Sequence, residues 1–487
     1  MKVSLHSPVC DLLGCRYPIV LAGMGGVARA ELVAAVTAGG GFGFLGMVRE
    51  SPALIREQVA ELRRLGHVRF GVNLIPAATP PALLGEELDA CIDLGVHAVC
   101  LFWDIDPAVV RRLRQAGILV VYQVGSAKEA AEAEAAGAQI IIAQGVEAGG
   151  HVRGTRPLHD LIPEVVSAVK VPVLAAGGIS DGADVVMALA LGAQGAVIGT
   201  AMIPTPESFA HDFHKVRLLA AVGNDTVLTQ AFHINWPAGA AVRVLASDVT
   251  SGLRGDPKAP VRQIIGWEDG RPIYLFSTDS PLRSTTGDFE AMPLYAGAGV
   301  GRVSKMIGAG GRLAGIVGEI EQLLLVAPSP KAIETSSSVC YAADADPEYM
   351  GYLGREALAE RLVELRDIAR AALSAARHVS SVNAAIDPAV LRLARWTVIL
   401  TQLAAKFDGD ATGRLPEAGA PVASPKGRLI ETLRQLLPLV GDEDVGGVLN
   451  AAIADIAQAD RASGLQLWGN GGVVVSGDPE PLAHALD

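Results

Sequence analysis

Cysteine is scarce and unpatterned in this chain. The five residues (Cys10, Cys15, Cys91, Cys100, Cys340) are odd in number, with no C-x-x-C and no Cys/His metal spacing. Reduced thiols are therefore expected, not a disulfide framework or a zinc site. Positive charge is also short: 40 Lys and Arg face 52 Asp and Glu, for a net charge of −12. No basic cluster stands ready to neutralise a run of phosphates, which excludes a nucleic-acid partner. Charged residues of both signs make up 19% of the chain and aromatics 5%, whereas half of it is hydrophobic. A large core is easily filled. The opening Met-Lys-Val-Ser-Leu-His-Ser-Pro lacks the apolar segment of a signal peptide, so a cytoplasmic protein is expected. The longest apolar window, Val185 to Ile203, is interrupted by Gly192, Gln194, Gly195 and Gly199. It reads as helix, turn and strand in a water-soluble core, with no membrane contact.

What the chain does have is alternation. Apolar runs suited to buried parallel strands stand at Tyr17–Ala22, Gly41–Met47, Val68–Leu74, Ala98–Trp103, Ile118–Val124, Ala138–Gln144, Val171–Ala176 and Gly195–Gly199. Helical stretches lie between them, among them Arg29–Ala38, Leu83–Leu94, Ala127–Ala136 and Asp181–Leu191. Ser51-Pro52 and Asp106-Pro107 each pair an N-cap with a proline at the first helical position. Eight βα units with short connections specify a (β/α)8 TIM barrel. A doubly wound sheet would need a glycine-rich turn between its first strand and first helix. The nominal match, Gly41-Phe-Gly43-Phe-Leu-Gly46, lies inside the second strand and does not qualify.

Chemistry concentrates where strand six ends. Ile140-Ile-Ile-Ala-Gln144-Gly-Val-Glu147-Ala-Gly149-Gly150-His151 runs from a β-branched strand through two glycines to a histidine. Parallel barrels keep their active groups at the C-terminal ends of strands, which makes His151 a candidate functional residue. Strands seven and eight end in Gly177-Gly178 and Gly199-Thr200. Barrels bind phosphate at that place through exposed backbone N–H groups and a helix N-terminus.

With these residues assembled, the chain resembles the nitronate monooxygenase (2-nitropropane dioxygenase) family of FMN-dependent barrels. The likeness rests on Pro18-Ile-Val-Leu-Ala-Gly23-Met24, Gly39-Gly-Gly-Phe-Gly-Phe-Leu-Gly46, Phe70-Gly-Val-Asn73 and Gln144-Gly-Val-Glu-Ala-Gly-Gly-His151. It continues through Ala176-Gly-Gly-Ile, Gly199-Thr200, Pro206-Glu-Ser208 with His211, and Gly287-Asp-Phe-Glu-Ala-Met-Pro-Leu-Tyr-Ala-Gly297. The resemblance implies FMN as cofactor, nitronate as small-molecule substrate and O2 as oxidant. It implies backbone contacts to the flavin ring from Gly23 and Met24, and polar contacts from Asn73 and Gln144. Gly149 and Gly150 join the cofactor-binding set. Gly177, Gly178, Gly199 and Thr200 would hold the phosphate, and His151 would act on the substrate as base or orienting group. An enoyl reductase that takes hydride from NAD(P)H and acts on an enone-like substrate carries a similar Glu-Ala-Gly-Gly-His segment. A flavin-binding sensor without catalysis is a third reading.

Two departures from the family pattern stand out. Ala201 follows Gly199-Thr200 where an arginine is common, and the stretch after strand eight reads Ala231-Phe-His-Ile-Asn-Trp-Pro237. No Lys or Arg ends strands four to six, and Gln123 is the polar residue where strand five ends. Helix dipoles or a protonated His151 are then expected to supply positive charge to a reduced flavin.

Other polar groups read as structural. His211 and His214 have the spacing of a metal pair but no third ligand nearby, so no metal site is expected. Asp106 reads as an N-cap, and Asp104 near the barrel mouth is left without a role. Residues 203–310 exceed a single βα connection and read as an inserted lid subdomain after strand eight. Residues 1–326 thus form the barrel domain and 327–350 a linker, read from Ala327-Pro-Ser-Pro-Lys and Thr335-Ser-Ser-Ser. Residues 351–487 form a C-terminal all-α helical bundle, built from Glu356–Ser380, Pro388–Phe407, Pro425–Leu437 and Val445–Arg461. Gly409–Ala423 reads as a mobile loop. No Glu-x-x-His pair appears in the bundle, so it is expected to bind a second copy or a protein partner, not iron.

Overall fold

The computed structural model describes residues 4–256, 261–325, 355–376, 388–407, 425–437, 443–463, 465–467 and 473–475. These divide into two compact units: Leu5–Ile320, and Glu321–Asp487 joined by Met1–Ser4. The 327–350 linker and the Gly409–Ala423 loop lie wholly outside the described residues, as does Cys340.

The first unit opens with α1 (Pro8–Leu13), β1 (Ile19–Leu21), α2 (Ala30–Ala38), β2 (Phe42–Gly46) and α3 (Pro52–Arg64). It continues with β3 (Gly71–Leu74), α4 (Pro81–Asp93), β4 (Ala98–Phe102), α5 (Pro107–Gln115), β5 (Leu119–Val124) and α6 (Ala127–Ala136). Then come β6 (Ile140–Gln144), β7 (Gly150–Val152), α7 (Leu158–Ala168), β8 (Val173–Ala176), α8 (Gly182–Ala190) and β9 (Gly195–Ile198). The order β1-β2-β3-β4-β5-β6-β8-β9 closes into a barrel, with Ile19 opposite Ala196 at the seam. This is the (β/α)8 barrel, and its eight strands are the eight apolar runs, trimmed at their ends.

Local chemistry explains the helix starts. Ser51 Oγ accepts from Leu54 N at 3.2 Å, and Asp106 accepts from Ala108 N and Val109 N at 2.9 and 3.1 Å. Ser126 and Asp181 cap α6 and α8 in the same way. Packing explains the strands: Ile140, Ile141 and Ile142 are all buried, each contributing roughly 1.5–3 kcal/mol. The glycines of β2 serve packing. A Cβ on Gly46 would lie 1.9 Å from Met24 O, so the β1–α2 loop can cross there only over glycine.

Two elements carry no signal in the apolar pattern. Helix α1 plugs the floor of the barrel. Val9, Cys10 and Leu13 join the interior cluster with Phe42, Val121 and Ile142. Ser7 Oγ donates to Gln194 O at 2.7 Å, and a His97 ring nitrogen meets Leu12 O at 2.9 Å, both at N-terminal ends of strands. The other is β7, which leaves the barrel wall after β6 and pairs outward.

Its partner lies in the insertion. That segment holds α9 (Asp212–Ala220), β10 (Thr226–Thr229), β11 (Ala241–Leu245), β12 (Ile264–Glu268), β13 (Arg271–Tyr274) and β14 (Thr286–Gly287). Strands β10, β11 and β7 form one antiparallel sheet, and β13, β12 and β14 another. Phe232, Val242, Ile265, Ile273 and Met292 give the insertion its own small core. Helix α10 (Ala309–Leu324) follows.

The second unit contains α11 (Arg355–Ala376), α12 (Pro388–Phe407), α13 (Pro425–Leu436) and α14 (Glu443–Ser463). Leu362, Leu365, Trp396, Leu429 and Leu449 are buried among them. Asp455 on α14 accepts from Trp396 Nε1 at 2.8 Å and from Arg395 Nη1 at 2.9 Å on α12. A short hairpin, β15 (Leu465–Leu467) with β16 (Val473–Val475), adds strand structure to a region read as purely helical. Among the described residues, no helix is long and apolar enough to cross a membrane.

Candidate active site

The C-terminal ends of the strands and the insertion enclose a cavity of about 760 Å³, a size suited to a cofactor with a small substrate. All of Gly23, Met24, Asn73, Gln144, Gly149, Gly150, His151, Gly177, Gly178, Gly199 and Thr200 line it.

His151 sits on β7, where Val242 of β11 faces it across the antiparallel pair. Gln144 locks the same strand from the other side. Its Nε2 donates to His151 O at 2.8 Å, and its Oε1 accepts from Arg153 N at 3.1 Å. Both ends of that amide are therefore spent on the backbone of β7 and of the residue that follows it. Arg243, next to Val242, donates to Val146 O through Nε (3.1 Å) and Nη2 (2.9 Å). Gly150 has φ +78°, a left-handed conformation that turns the chain so that His151 points back over the barrel.

The imidazole lies in an aromatic box. Trp236 stacks on it with ring centroids 3.3 Å apart and planes 19° apart. Tyr295 is 5.7 Å away, and Trp103 meets it edge-on at 6.5 Å. Trp103 is held at φ +80°, a conformation that costs a bulky residue roughly 1–3 kcal/mol and marks a constrained site. Tyr295 Oη donates to Thr278 O at 2.7 Å. His151 Nε2 is buried, with no hydrogen-bond partner among the described residues. Burial, and secondarily the Arg49 guanidinium, hold the imidazole well below its ordinary pKa. The ring is neutral near pH 7, which overturns the expectation that a protonated His151 supplies positive charge.

Arg29, Arg49 and Arg271 also line the cavity, Arg29 lying 3.9 Å from Glu50 and Arg271 3.5 Å from Asp279. Arg49, at φ +60° after β2, donates to Asn235 O at 3.0 Å and Thr278 Oγ1 at 3.4 Å, tying the insertion to the barrel.

The residues set aside on sequence grounds have structural places. Asp104 pairs with Arg153 at 3.0 Å, and that guanidinium lies 5.0 Å above the Trp103 ring. His211 caps α9 by accepting from Phe213 N at 3.1 Å. His214 is buried at the cavity wall, its Nε2 donating to Tyr295 O at 3.1 Å. The carbonyl only accepts, so Nε2 carries the hydrogen and Nδ1 is the bare nitrogen.

The glycines form a close-fitting cradle. A Cβ on Gly149 would lie 2.5 Å from Gly297 N and 3.0 Å from Thr200 Oγ1. Thr200 Oγ1 accepts from Gly297 N at 2.9 Å, which joins strand eight's end to the insertion. A Cβ on Gly23 would lie 2.2 Å from the Asn73 Cβ.

A family profile described as nitronate monooxygenase matches residues 6–317. The chain belongs to that family. It is a flavin-dependent oxidoreductase, and the matched span contains every residue of the cavity. A probable nitronate monooxygenase of Staphylococcus aureus is 29% identical over 329 residues, 57% of this chain and 92% of that one. A (3aS,4S,5R,7aS)-5-hydroxy-7a-methyl-1-oxo-octahydro-1H-indene-4-carboxyl-CoA dehydrogenase of Mycobacterium tuberculosis is 33% identical over 258 residues, 52% of this chain and 70% of that one. Among solved structures, nitroalkane oxidase from Streptomyces ansochromogenes is similar with TM-score 0.53 and 29% identity, covering 64% of this chain and 98% of its own. FabK from Thermotoga maritima has TM-score 0.54 and 28% identity, covering 65% and 96%.

Reading the sequence alone missed Arg49, Trp103, Trp236 and Tyr295. Their signal was present. Aromatics are few in this chain, yet two of its five tryptophans stand at a strand end and in the stretch that departs from the family pattern.

Proposed function

We propose that the barrel binds FMN and oxidises alkyl nitronates with O2, with His151 contacting the substrate. The observation that carries this reading is a neutral imidazole, its Nε2 without a partner among the described residues, buried in an aromatic box beside a glycine cradle in one cavity. The backbones of Gly149, Gly177, Gly178, Gly199 and Thr200 would hold the phosphate. Gly23, Met24 and Asn73 would lie along the ring, and Gln144 and Gly150 would act by fixing β7. Bound FMN supplies electron transfer and the reaction with O2. The protein's part is to orient the substrate at His151, to exclude water with the insertion acting as a lid, and to take a proton at the imidazole when the substrate arrives as a neutral nitroalkane.

An NAD(P)H-dependent enoyl reductase is the second reading, supported by the likeness to FabK. The C-terminal helical unit, outside the matched span, would then be the place for a protein partner. In either case the protein works in the cytoplasm, in keeping with four free cysteines among its described residues.

The test is direct. Acid-released flavin is identified by mass, and O2 uptake with propyl-2-nitronate is followed without nicotinamide. FMN and rapid uptake support the reading; a different flavin, or no uptake, overturns it.

A further inference from the structure

Besides His214 Nδ1 at the cavity wall, two polar ring atoms at this site are buried without partners among the described residues: His151 Nε2 and Trp236 Nε1. They belong to rings stacked 3.3 Å apart that line the same cavity. An unmet buried donor or acceptor is costly, and one on each of two stacked rings points to a group that satisfies both. The indole N–H can only donate, whereas a neutral imidazole keeps one nitrogen free to accept a proton.

We infer that Trp236 is a catalytic residue for carbon acids, its indole N–H holding the substrate oxygen that gains charge while His151 takes the proton from the adjacent carbon. This deepens the nitronate reading and rests on it. In a nitroalkane the acidic carbon and the oxygen are two bonds apart, so base and donor have to lie side by side, as neighbouring layers of a stack do. The Cα–H bond breaks and an N–H bond forms on His151. The C–H electron pair moves into the nitro group, and the charge comes to rest on the oxygen facing Trp236. No oxidant takes part, and the reverse step returns a proton from the exchanged imidazole. The same pair suits any substrate with an acidic C–H beside a nitro or carbonyl group.

The barrel holds Trp236 for this task. Its neighbour Asn235, at φ +70°, gives its carbonyl to Arg49, and Trp103 packs edge-on against the indole at 5.7 Å. A stack that served only to fill space would leave the indole N–H irrelevant to turnover.

The experiment is solvent-deuterium exchange into the α-carbon of nitroethane, followed by proton NMR with anaerobic holoenzyme at mildly acidic pH. Wild-type protein is expected to accelerate exchange above buffer, and His151→Ala to abolish that acceleration. Trp236→Phe keeps an aromatic ring for the stack and removes the N–H together with the pyrrole half of the indole. It is expected to slow exchange on the order of a hundredfold, as for loss of one oxyanion donor. Exchange at the wild-type rate in Trp236→Phe overturns the inference. So does an absence of exchange in wild-type enzyme that still consumes propyl-2-nitronate, an outcome that leaves the nitronate reading intact. Exchange without nitronate consumption would instead overturn that reading. Should Trp236→Phe not fold, unaltered holoenzyme labelled with 15N at its indoles is titrated with nitroethane. One indole N–H resonance moving downfield supports the donor role, and none moving overturns it.

Discussion

Val242 stands opposite His151 in the antiparallel pairing of β11 with β7, so the insertion after strand eight holds the strand that carries this histidine. The insertion's β10 and β11 and the histidine's strand β7 are one sheet. Arg243 fastens that sheet to the β6–β7 loop through two hydrogen bonds to Val146 O. Arg243→Leu removes a charged donor pair of the kind worth roughly 1.5–3 kcal/mol. It is expected to lower kcat about tenfold while the purified protein stays yellow. Steady-state O2 uptake and the flavin-to-protein absorbance ratio check both parts.

His151→Ala is expected to reduce turnover of neutral nitroalkanes by roughly 10²–10⁴-fold with the flavin retained. The pH profile carries the finer test. Burial first, and then Arg49, push the imidazole's proton affinity down, so the base stays in its active neutral form below the ordinary value of 6.5. Activity in wild type should therefore persist into mildly acidic buffer. Arg49→Met removes one of the two causes, and the acid limb of the kcat/KM profile should move to higher pH.

A different histidine contributes to the pH dependence of stability. His214 is fully buried and its pKa is lowered from 6.5 to about 4 by burial. Between those values the unfolded chain binds a proton that the folded chain refuses, so stability falls as pH falls through this window. The loss is about 3 kcal/mol at its limit. His214→Gln keeps a donor for Tyr295 O and does not titrate. Urea unfolding is expected to show a flatter dependence on pH between 4 and 6.5 in the variant, with little change at neutral pH.

The glycine cradle makes a steric prediction. In Gly149→Ala the new methyl meets Gly297 N and Thr200 Oγ1, so flavin affinity should fall while the fold survives. Gly85→Ala on α4, where a Cβ meets nothing within 4 Å, should keep full flavin and gain about 0.5–1 kcal/mol. Flavin retention through gel filtration and thermal melts separate the two.

The barrel was legible because its strands are short apolar runs bounded by caps and glycines, a signal confined to neighbouring residues. Ala127–Ala136 and Pro388–Phe407 were read with the bounds the structure has. What escaped is non-local or short. Helix α1 has only six residues, and α7 starts after Pro157 and carries Pro163 within it. Strand β7 is three residues with a glycine and no apolar period, and its partner β11 lies some ninety residues further on. The candidate residues named from the sequence line the cavity because they sit at strand ends or in the loops just beyond them. Trp236, Tyr295 and Arg49 reach the cavity through pairings and ties that no local pattern encodes. The charge on His151 was misjudged for a related reason: burial, which decides it, is set by rings from distant parts of the chain.

The central claim is the identity of the electron donor. The yellow protein, free of O2, is mixed with propyl-2-nitronate in one cuvette and with NADPH or NADH in others, and absorbance is followed. Bleaching by the nitronate with little change from either nicotinamide is the expected result. Rapid bleaching by a nicotinamide and none by the nitronate would contradict it and assign the cavity to a reductase.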